Sequence, residues 1–144
     1  MTLDLAARVT ELEARIAIAD LVHEYARLVR RDRPDEVHHL FAPDGWFEIR
    51  DGFPDRETFT VRERLASPQA LRVYLAPGKG KPHPVPLIRN LMIEVDGETA
   101  IANSVMDGPI PGTGHRVFGE YRDTFRKVDG AWLFSSRTFT IFGQ

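Results

Sequence analysis

Apolar residues recur every three or four positions from Leu3 to about Arg31, and this spacing predicts one long amphipathic helix. The repeating positions are Leu5, Val9, Leu12, Ile16, Ala19, Val22 and Ala26. Asp4 can cap the start, because its carboxylate accepts hydrogen bonds from the free N–H groups of a first turn. The segment has no Gly or Pro, but about 28 residues is long for a globular helix, so a break within 14–18 is considered.

Short elements are predicted after this helix. Residues 35–41 form a second, short helix, and Pro43-Asp44-Gly45 forms a turn. Residues 46–50 are predicted as a strand that enters a polar loop. Ser67 caps a third helix with Pro68 at its first position, an arrangement in which the missing proline N–H does no harm.

The C-terminal half has the pattern of two β-hairpins, because an Asp-Gly pair separates the strands of each. The predicted strands are Leu87 to Val95 and Thr99 to Met106, then His115 to Val128 and Trp132 to Phe142. Sequential hairpins predict a mostly antiparallel sheet. Between the third helix and the first hairpin, residues 76–86 hold four prolines and two glycines, which predicts a loop over a pocket mouth.

Helices first and strands later predict the α+β class, with N-terminal helices folded against one face of a curved sheet and a cavity between them. The chain has 144 residues, the size of one domain, so a single domain over 1–144 is expected. A hydrophobic fraction of 42% and a charged fraction of 28% are those of a globular protein.

The charge balance excludes several classes of function. Nineteen basic and 21 acidic residues give a net charge of −2, without the basic excess of a nucleic-acid-binding protein. There are no cysteines, which removes disulfides, thiolate metal sites and thiol nucleophiles and fits a reducing cytoplasm. No apolar run is long enough for a membrane span. Metal-binding and phosphate-binding motifs are also absent from the sequence, so no metal and no cofactor are predicted.

Several motifs, taken in order, resemble the SnoaL-like branch of the nuclear transport factor 2-like (NTF2-like) superfamily. They are Ile18-Ala19-Asp20-Leu21 with Tyr25, then Leu40 to Gly45, Asn90 with Ile93 to Gly97, and Tyr121 to Trp132, ending at Arg137. The resemblance covers nearly the whole chain. It implies a cone-shaped α+β barrel, a conical pocket for a small apolar molecule, and a homodimer or homotrimer. It does not fix the reaction, because the superfamily includes dehydratases, dehydrochlorinases, polyketide cyclases and dioxygenase small subunits.

The resemblance also implies a departure at the catalytic positions. Dehydratase-type relatives use a His-Asp pair. The position that matches the Asp is Arg30 here, and the position that matches the His is Pro86. A slip of one residue does not restore the pair, since Asp32 and His83 lie further away than that. His83, in the Pro-rich loop, is the nearest replacement and has the side chain suited to proton transfer near neutral pH. Arg137 matches a pocket arginine of the dehydrochlorinases.

The candidate site combines these matches with strand alternation. Alternation puts Leu133, Ser135, Arg137, Phe139 and Ile141 on one face of the last strand, so that a charge interrupts an apolar row. The strand before it puts Tyr121 and Asp123 on one face with Val117, Gly119 and Phe125. The predicted catalytic residues are His83, Asp123 and Tyr25, and the predicted substrate-binding residues are Arg30, Arg137, Tyr121, Asn90 and Trp46.

Each candidate also has a structural interpretation, and the alternatives remain open. Arg30 is a helix-end arginine that can lie in solvent, His83 a loop residue, and Asp123 with Arg137 a structural ion pair. Three functions are compatible with these residues and with the resemblance. The first is a cofactor-independent lyase, isomerase or cyclase for a polycyclic or polyketide-like substrate. The second is a non-catalytic binding or accessory protein, and the third is a partner resembling a dioxygenase small subunit.

Overall fold

The computed structural model describes residues 4–143, which form two α-helices and one six-stranded sheet. The helices are α1 (Leu5–Arg30) and α2 (Pro68–Leu75), and short 3₁₀ turns cover Val37–Leu40 and Ala76–Gly78. The strands are β1 (Phe41–Gly52), β2 (Phe59–Leu65), β3 (Leu87–Asp96), β4 (Thr99–Ile110), β5 (His115–Val128) and β6 (Ala131–Phe142). The predicted α+β class is confirmed.

α1 is continuous over 26 residues, so the break considered within 14–18 does not occur. The Asp4 carboxylate accepts a hydrogen bond from the Ala7 amide at 2.7 Å, as its capping role predicts. The predicted start at Leu3 lies outside the described residues. Ile18 and Val22 are fully buried against the sheet, and this packing stabilises the second half of the helix.

The strands are arranged in the order β2-β1-β6-β5-β4-β3. β1 runs parallel to β6, and every other neighbouring pair is antiparallel. The sheet is curved and does not close, with β2 and β3 at its edges. Register shifts interrupt the ladders in β1, β3 and the β5–β6 pair, and such irregularities bend and twist a sheet. The helices cover its inner face.

The middle of the chain holds more strand than its sequence pattern predicts. The second helix is only a 3₁₀ turn, because β1 already begins at Phe41 and continues through the Pro43-Asp44-Gly45 segment to Gly52. The sequence prediction missed β2 altogether. Alternating apolar residues at 59, 61 and 65 are a signal for this edge strand.

A shift of register in β6 changes which of its side chains face inward. Thr124 pairs with Ser136, but Phe125 pairs with Phe134, so Ser135 is the extra residue of a bulge. Phe134 and Arg137 therefore both face the core. The prediction that Leu133 and Ser135 share the face of Arg137 is wrong for this reason, whereas Phe139 and Ile141 do share it.

Candidate functional site

An apolar cavity of about 410 Å³ lies between the helices and the inner face of the sheet. Its walls come from α1, α2, the Pro-rich loop and every strand except β3. The lining residues are Tyr25, Val29, Phe47, Ile49, Arg62, Leu65, Leu71, Tyr74, Leu75, Pro84, Pro86, Met106, Val117, Tyr121, Phe139 and Ile141. Apart from Arg62 and three tyrosine hydroxyls, these side chains are apolar. A volume of this size is within the usual range for small-molecule sites, about 300–1,000 Å³.

Tyr25 and Tyr121 supply the hydroxyl groups deepest in this wall. Both side chains are buried, and their rings meet edge to face at 6.3 Å. Tyr25 also stacks on Phe47. Among the hydrogen bonds of the described residues, none involves either tyrosine hydroxyl, so both hydroxyls are free to bond to a ligand.

Arg137 and Asp123 form a fully buried ion pair behind the tyrosines. Arg137 Nε lies 3.0 Å from Asp123 Oδ1, and both side chains are inaccessible to solvent. The contact does not have hydrogen-bond geometry, and within residues 4–143 the five polar atoms of the pair have no hydrogen-bond partner. The guanidinium carbon instead lies 3.5 Å from the centre of the Tyr121 ring and 4.4 Å from that of Tyr25. Cation–π contacts therefore add to the attraction of the Asp123 carboxylate.

Burial dominates the electrostatics of this group of side chains. It raises the pKa of both tyrosines well above the ordinary value, although the nearby Arg137 charge lowers it in part. Burial also raises the pKa of Asp123 to about 6, again opposed by Arg137. The two phenols are therefore neutral hydrogen-bond donors at physiological pH.

His83 lies beside the cavity rather than in it. It borders a smaller pocket of about 150 Å³ that shares Val29, Leu75 and Pro84 with the cavity wall. Its Nδ1 is 2.9 Å from the backbone oxygen of Pro84, and its Nε2 is 3.5 Å from a carboxylate oxygen of Asp32. Both ring nitrogens therefore face acceptors of the protein itself.

Three predicted substrate-binding residues lie away from the cavity. Arg30 is exposed in an outer groove between α1 and β3, because it lies about 140° around the helix from the inward-facing Tyr25. Asn90 is exposed at the register shift of the edge strand β3, with a left-handed φ of 53°. Trp46 alternates with the inward-facing Phe47, and the Arg64 guanidinium lies 3.9 Å from the centre of its ring.

The predicted candidates thus divide into those at the cavity and those outside it, which are His83, Arg30, Asn90 and Trp46. Tyr25 and Tyr121 line the cavity, with Asp123 and Arg137 directly behind them. The sequence reasoning did not identify the wall residues of α2 and β2, among them Leu71, Tyr74, Leu75, Arg62 and Leu65. The apolar spacing within α2 is the signal that marks three of them, whereas Arg62 belongs to the strand that was missed.

Arg62 is the charged residue of the cavity lining. It projects from β2 and makes two contacts to the Asp51 carboxylate on β1, at 3.0 and 2.5 Å. The side chain remains half exposed, which places the charge towards solvent rather than deep in the cavity.

The described part of the chain contains neither a cluster of side chains suited to a metal ion nor a helix suited to crossing a membrane. In residues 4–143, no three His, Asp or Glu side chains are grouped closely enough to hold a metal ion. Neither α1 nor α2 combines the length and hydropathy that a membrane-crossing helix needs.

A long helix on the inner face of a curved six-stranded sheet, with an apolar cavity between them, is the NTF2-like fold. The SnoaL-like domain family matches residues 10–138, which is most of the chain. The chain belongs to the SnoaL-like domain family.

Solved structures with the same fold come from several proteins of Novosphingobium aromaticivorans. An NTF2-like protein with a cystatin-like fold is 21% identical with a TM-score of 0.73, over 98% of this chain and 92% of that one. A protein named as the β subunit of an aromatic-ring-hydroxylating dioxygenase is 22% identical with a TM-score of 0.74, over 94% and 93%. A protein named as a scytalone dehydratase is 22% identical with a TM-score of 0.73, over 94% and 89%. A comparison with curated proteins finds no significant match.

Proposed function

We propose that the cavity binds a small, largely apolar molecule of fused rings that carries a carbonyl or hydroxyl oxygen. The observation that carries this proposal is the apolar cavity of about 410 Å³ with the free hydroxyls of Tyr25 and Tyr121 in its wall. Apolar burial supplies the affinity, and the few polar groups of such a site fix the orientation of the ligand. No metal or cofactor is needed for this role.

The two phenols suit an oxygen acceptor. Their raised pKa keeps them protonated, so they donate a hydrogen bond rather than repel a lone pair. The Arg137 cation behind their rings favours negative charge on an oxygen held in front of them. A ligand carbonyl that gains electron density is therefore the group that matches this wall best.

The binding role can be tested with 1-tetralone and tetralin, which share two fused rings and differ in the carbonyl. Wild-type protein should bind 1-tetralone more tightly, and Y25F/Y121F should remove that preference while leaving tetralin binding unchanged. A neutral hydrogen bond contributes about 0.5–1.5 kcal/mol, so the preference should be about 2- to 10-fold. Isothermal titration calorimetry measures both constants.

Matched variants separate the cavity from the surface. Val117 lines the cavity, so V117F should weaken binding of both compounds by filling it. Val73 is exposed on α2 outside the cavity, and V73F should bind as the wild type does. Equal affinity of V117F and V73F for tetralin would show that the ligand binds elsewhere.

A second candidate is a cofactor-independent lyase, isomerase or cyclase acting on the same class of molecule. The buried Arg137 cation behind two phenol donors favours it, because this arrangement can stabilise an enolate oxygen. Among the described residues, the cavity lining holds no His, Asp or Glu to act as a base. His83 in the adjoining pocket is the nearest candidate for that role.

Proton exchange distinguishes an enzyme from a binding protein. In deuterated buffer, an enzyme of this kind should exchange the hydrogens of 1-tetralone next to the carbonyl faster than buffer alone, as followed by NMR. The exchange should fall in Y25F/Y121F and in H83A. Binding of 1-tetralone without faster exchange would support the binding role and contradict the catalytic one.

A further inference from the structure

The first half of α1 carries an apolar stripe that the domain does not cover. Leu5, Val9, Leu12 and Ile16 are 74%, 43%, 57% and 63% exposed. None of residues 5–13 is buried, whereas Ala14 is the first helix residue to pack on the domain. Among residues 4–143, no other segment lies against this stripe, so its four large side chains face water. The helix that carries them is stabilised by the packing of its second half on the sheet.

The stripe has the geometry of a coiled-coil seam. Its four residues are spaced by four, three and four positions, which places them at alternating a and d positions of a heptad. At 100° per residue they fall within an arc of about 60° on the helix surface. The residues that pack on the sheet, such as Ile18, lie on roughly the opposite side.

The charges beside the stripe select a partner and an orientation. Arg8 and Arg15 lie along one flank, and Glu13 and Asp20 lie along the other. The arginines occupy g positions of the heptad and the acidic residues occupy e positions. In a parallel pair of identical helices, each g position of one helix faces the e position of the next heptad in the other helix. Arg8 would then face the partner's Glu13. Arg15 and Asp20 are also of opposite sign, but Arg15 already donates a hydrogen bond to the Ile93 backbone oxygen at 2.6 Å, so the Arg8–Glu13 pair carries the argument. An antiparallel pair would set arginine against arginine.

We propose that residues 5–16 of α1 form a short parallel coiled coil with the same segment of a second copy of this chain. The helix is already formed by its packed second half, so pairing does not have to nucleate it. A lipid surface suits this segment less well. Residues 4–15 carry three acidic and two basic side chains, whereas helices that lie on membranes are rich in Lys and Arg.

Disulfide trapping tests the parallel register directly, because the natural chain has no cysteine. In a parallel pair each d position faces its own copy, so L12C should form a disulfide-linked dimer under mild oxidation at micromolar concentration. Thr10 lies on the other side of the helix, and T10C is the matched control. Because pairing raises the local thiol concentration, L12C should cross-link about tenfold faster or more. Equal rates for L12C and T10C would overturn the proposal.

Charge reversal tests the pairing of the flanks. In the L12C background, R8E sets two carboxylates against each other and should slow cross-linking, and R8E/E13R exchanges the signs and should restore it. Unchanged cross-linking in R8E would contradict the parallel arrangement.

Sedimentation equilibrium adds a test that needs no cysteine. Ile16 on the stripe and Val73 on α2 are both 63% exposed, so I16S and V73S each replace one exposed β-branched apolar side chain with serine. The dimer dissociation constant should rise in I16S and stay unchanged in V73S. Co-sedimentation of wild type, but not I16S, with phosphatidylcholine–phosphatidylserine vesicles would assign the stripe to lipid instead.

Discussion

Replacing Arg137 with methionine should destabilise the protein by an amount that grows with pH. Arg137 and Asp123 are both fully buried, with Nε 3.0 Å from Oδ1. Removing one partner of a buried ion pair costs about 3–5 kcal/mol, because the remaining charge loses its compensation. Methionine keeps most of the apolar stem, so R137M tests the charge more than the packing.

The pH dependence of R137M comes from Asp123. Burial raises the pKa of this carboxyl from 3.8 to about 6 in the wild type, and Arg137 is the group that lowers it. Without Arg137 the folded-state pKa must rise further. When the folded-state pKa of a carboxyl is raised, the folded protein binds the proton more tightly than the unfolded chain does. The resulting contribution to the free energy of unfolding is complete below the pKa of the unfolded state and is lost as the pH rises through the pKa of the folded state. Above pH 6, R137M should therefore lose stability relative to wild type, by about 1.4 kcal/mol if the Asp123 pKa rises by one.

Urea unfolding followed by the fluorescence of Trp46 and Trp132 measures this effect at pH 5 and pH 8. For such a rise in the Asp123 pKa, R137M should lose about 1.4 kcal/mol more free energy of unfolding at pH 8 than at pH 5. The double variant D123N/R137M removes both charges of this pair and should recover most of the loss at pH 8. An equal loss for R137M at both pH values would refute the assignment to Asp123.

Three further variants test the packing and a helix boundary. A Cβ added at Gly119 would press against the backbone oxygen of Thr140, so G119A should lower the free energy of unfolding by about 1–3 kcal/mol. A Cβ added at Gly78 meets nothing within 4 Å, so G78A should stay close to wild type in thermal unfolding. Ser67 accepts the Ala70 amide at 3.1 Å, and S67A should lower the free energy of unfolding by about 1 kcal/mol; no change in urea midpoint would argue against the cap.

The turn and helix signals in the sequence were reliable because they act locally. The Asp4 and Ser67 caps occur as predicted. Both hairpins occur as predicted. The second has Asp129 and Gly130 at its turn, both left-handed with φ values of 51° and 82°, whereas the first turns one residue later, at Gly97 and Glu98, because Asp96 still pairs with Thr99. These features depend on residues within a few positions of one another, so a linear pattern is enough to locate them.

The cavity wall could be predicted only in part, since it depends on which elements meet. Tyr25 and Tyr121 were found by periodicity and by the family resemblance, and both line the cavity. Arg30 was expected near them, but it lies about 140° around α1 from Tyr25 and is exposed. Trp46 was also expected at the site, but strand alternation gives the inner face to its neighbour Phe47.

The sequence by itself determined the α+β class, the family, the hairpins and the presence of a charge in an apolar row of β6. The tertiary structure decided that Ser135 is a bulge, and this one extra residue brings Phe134 and Arg137 to the same face as Asp123. It also decided that Arg137 lies behind Tyr25 and Tyr121 rather than in the cavity. Side-chain alternation is a local property, but register and depth depend on how distant strands pair, and no pattern within one strand contains that information.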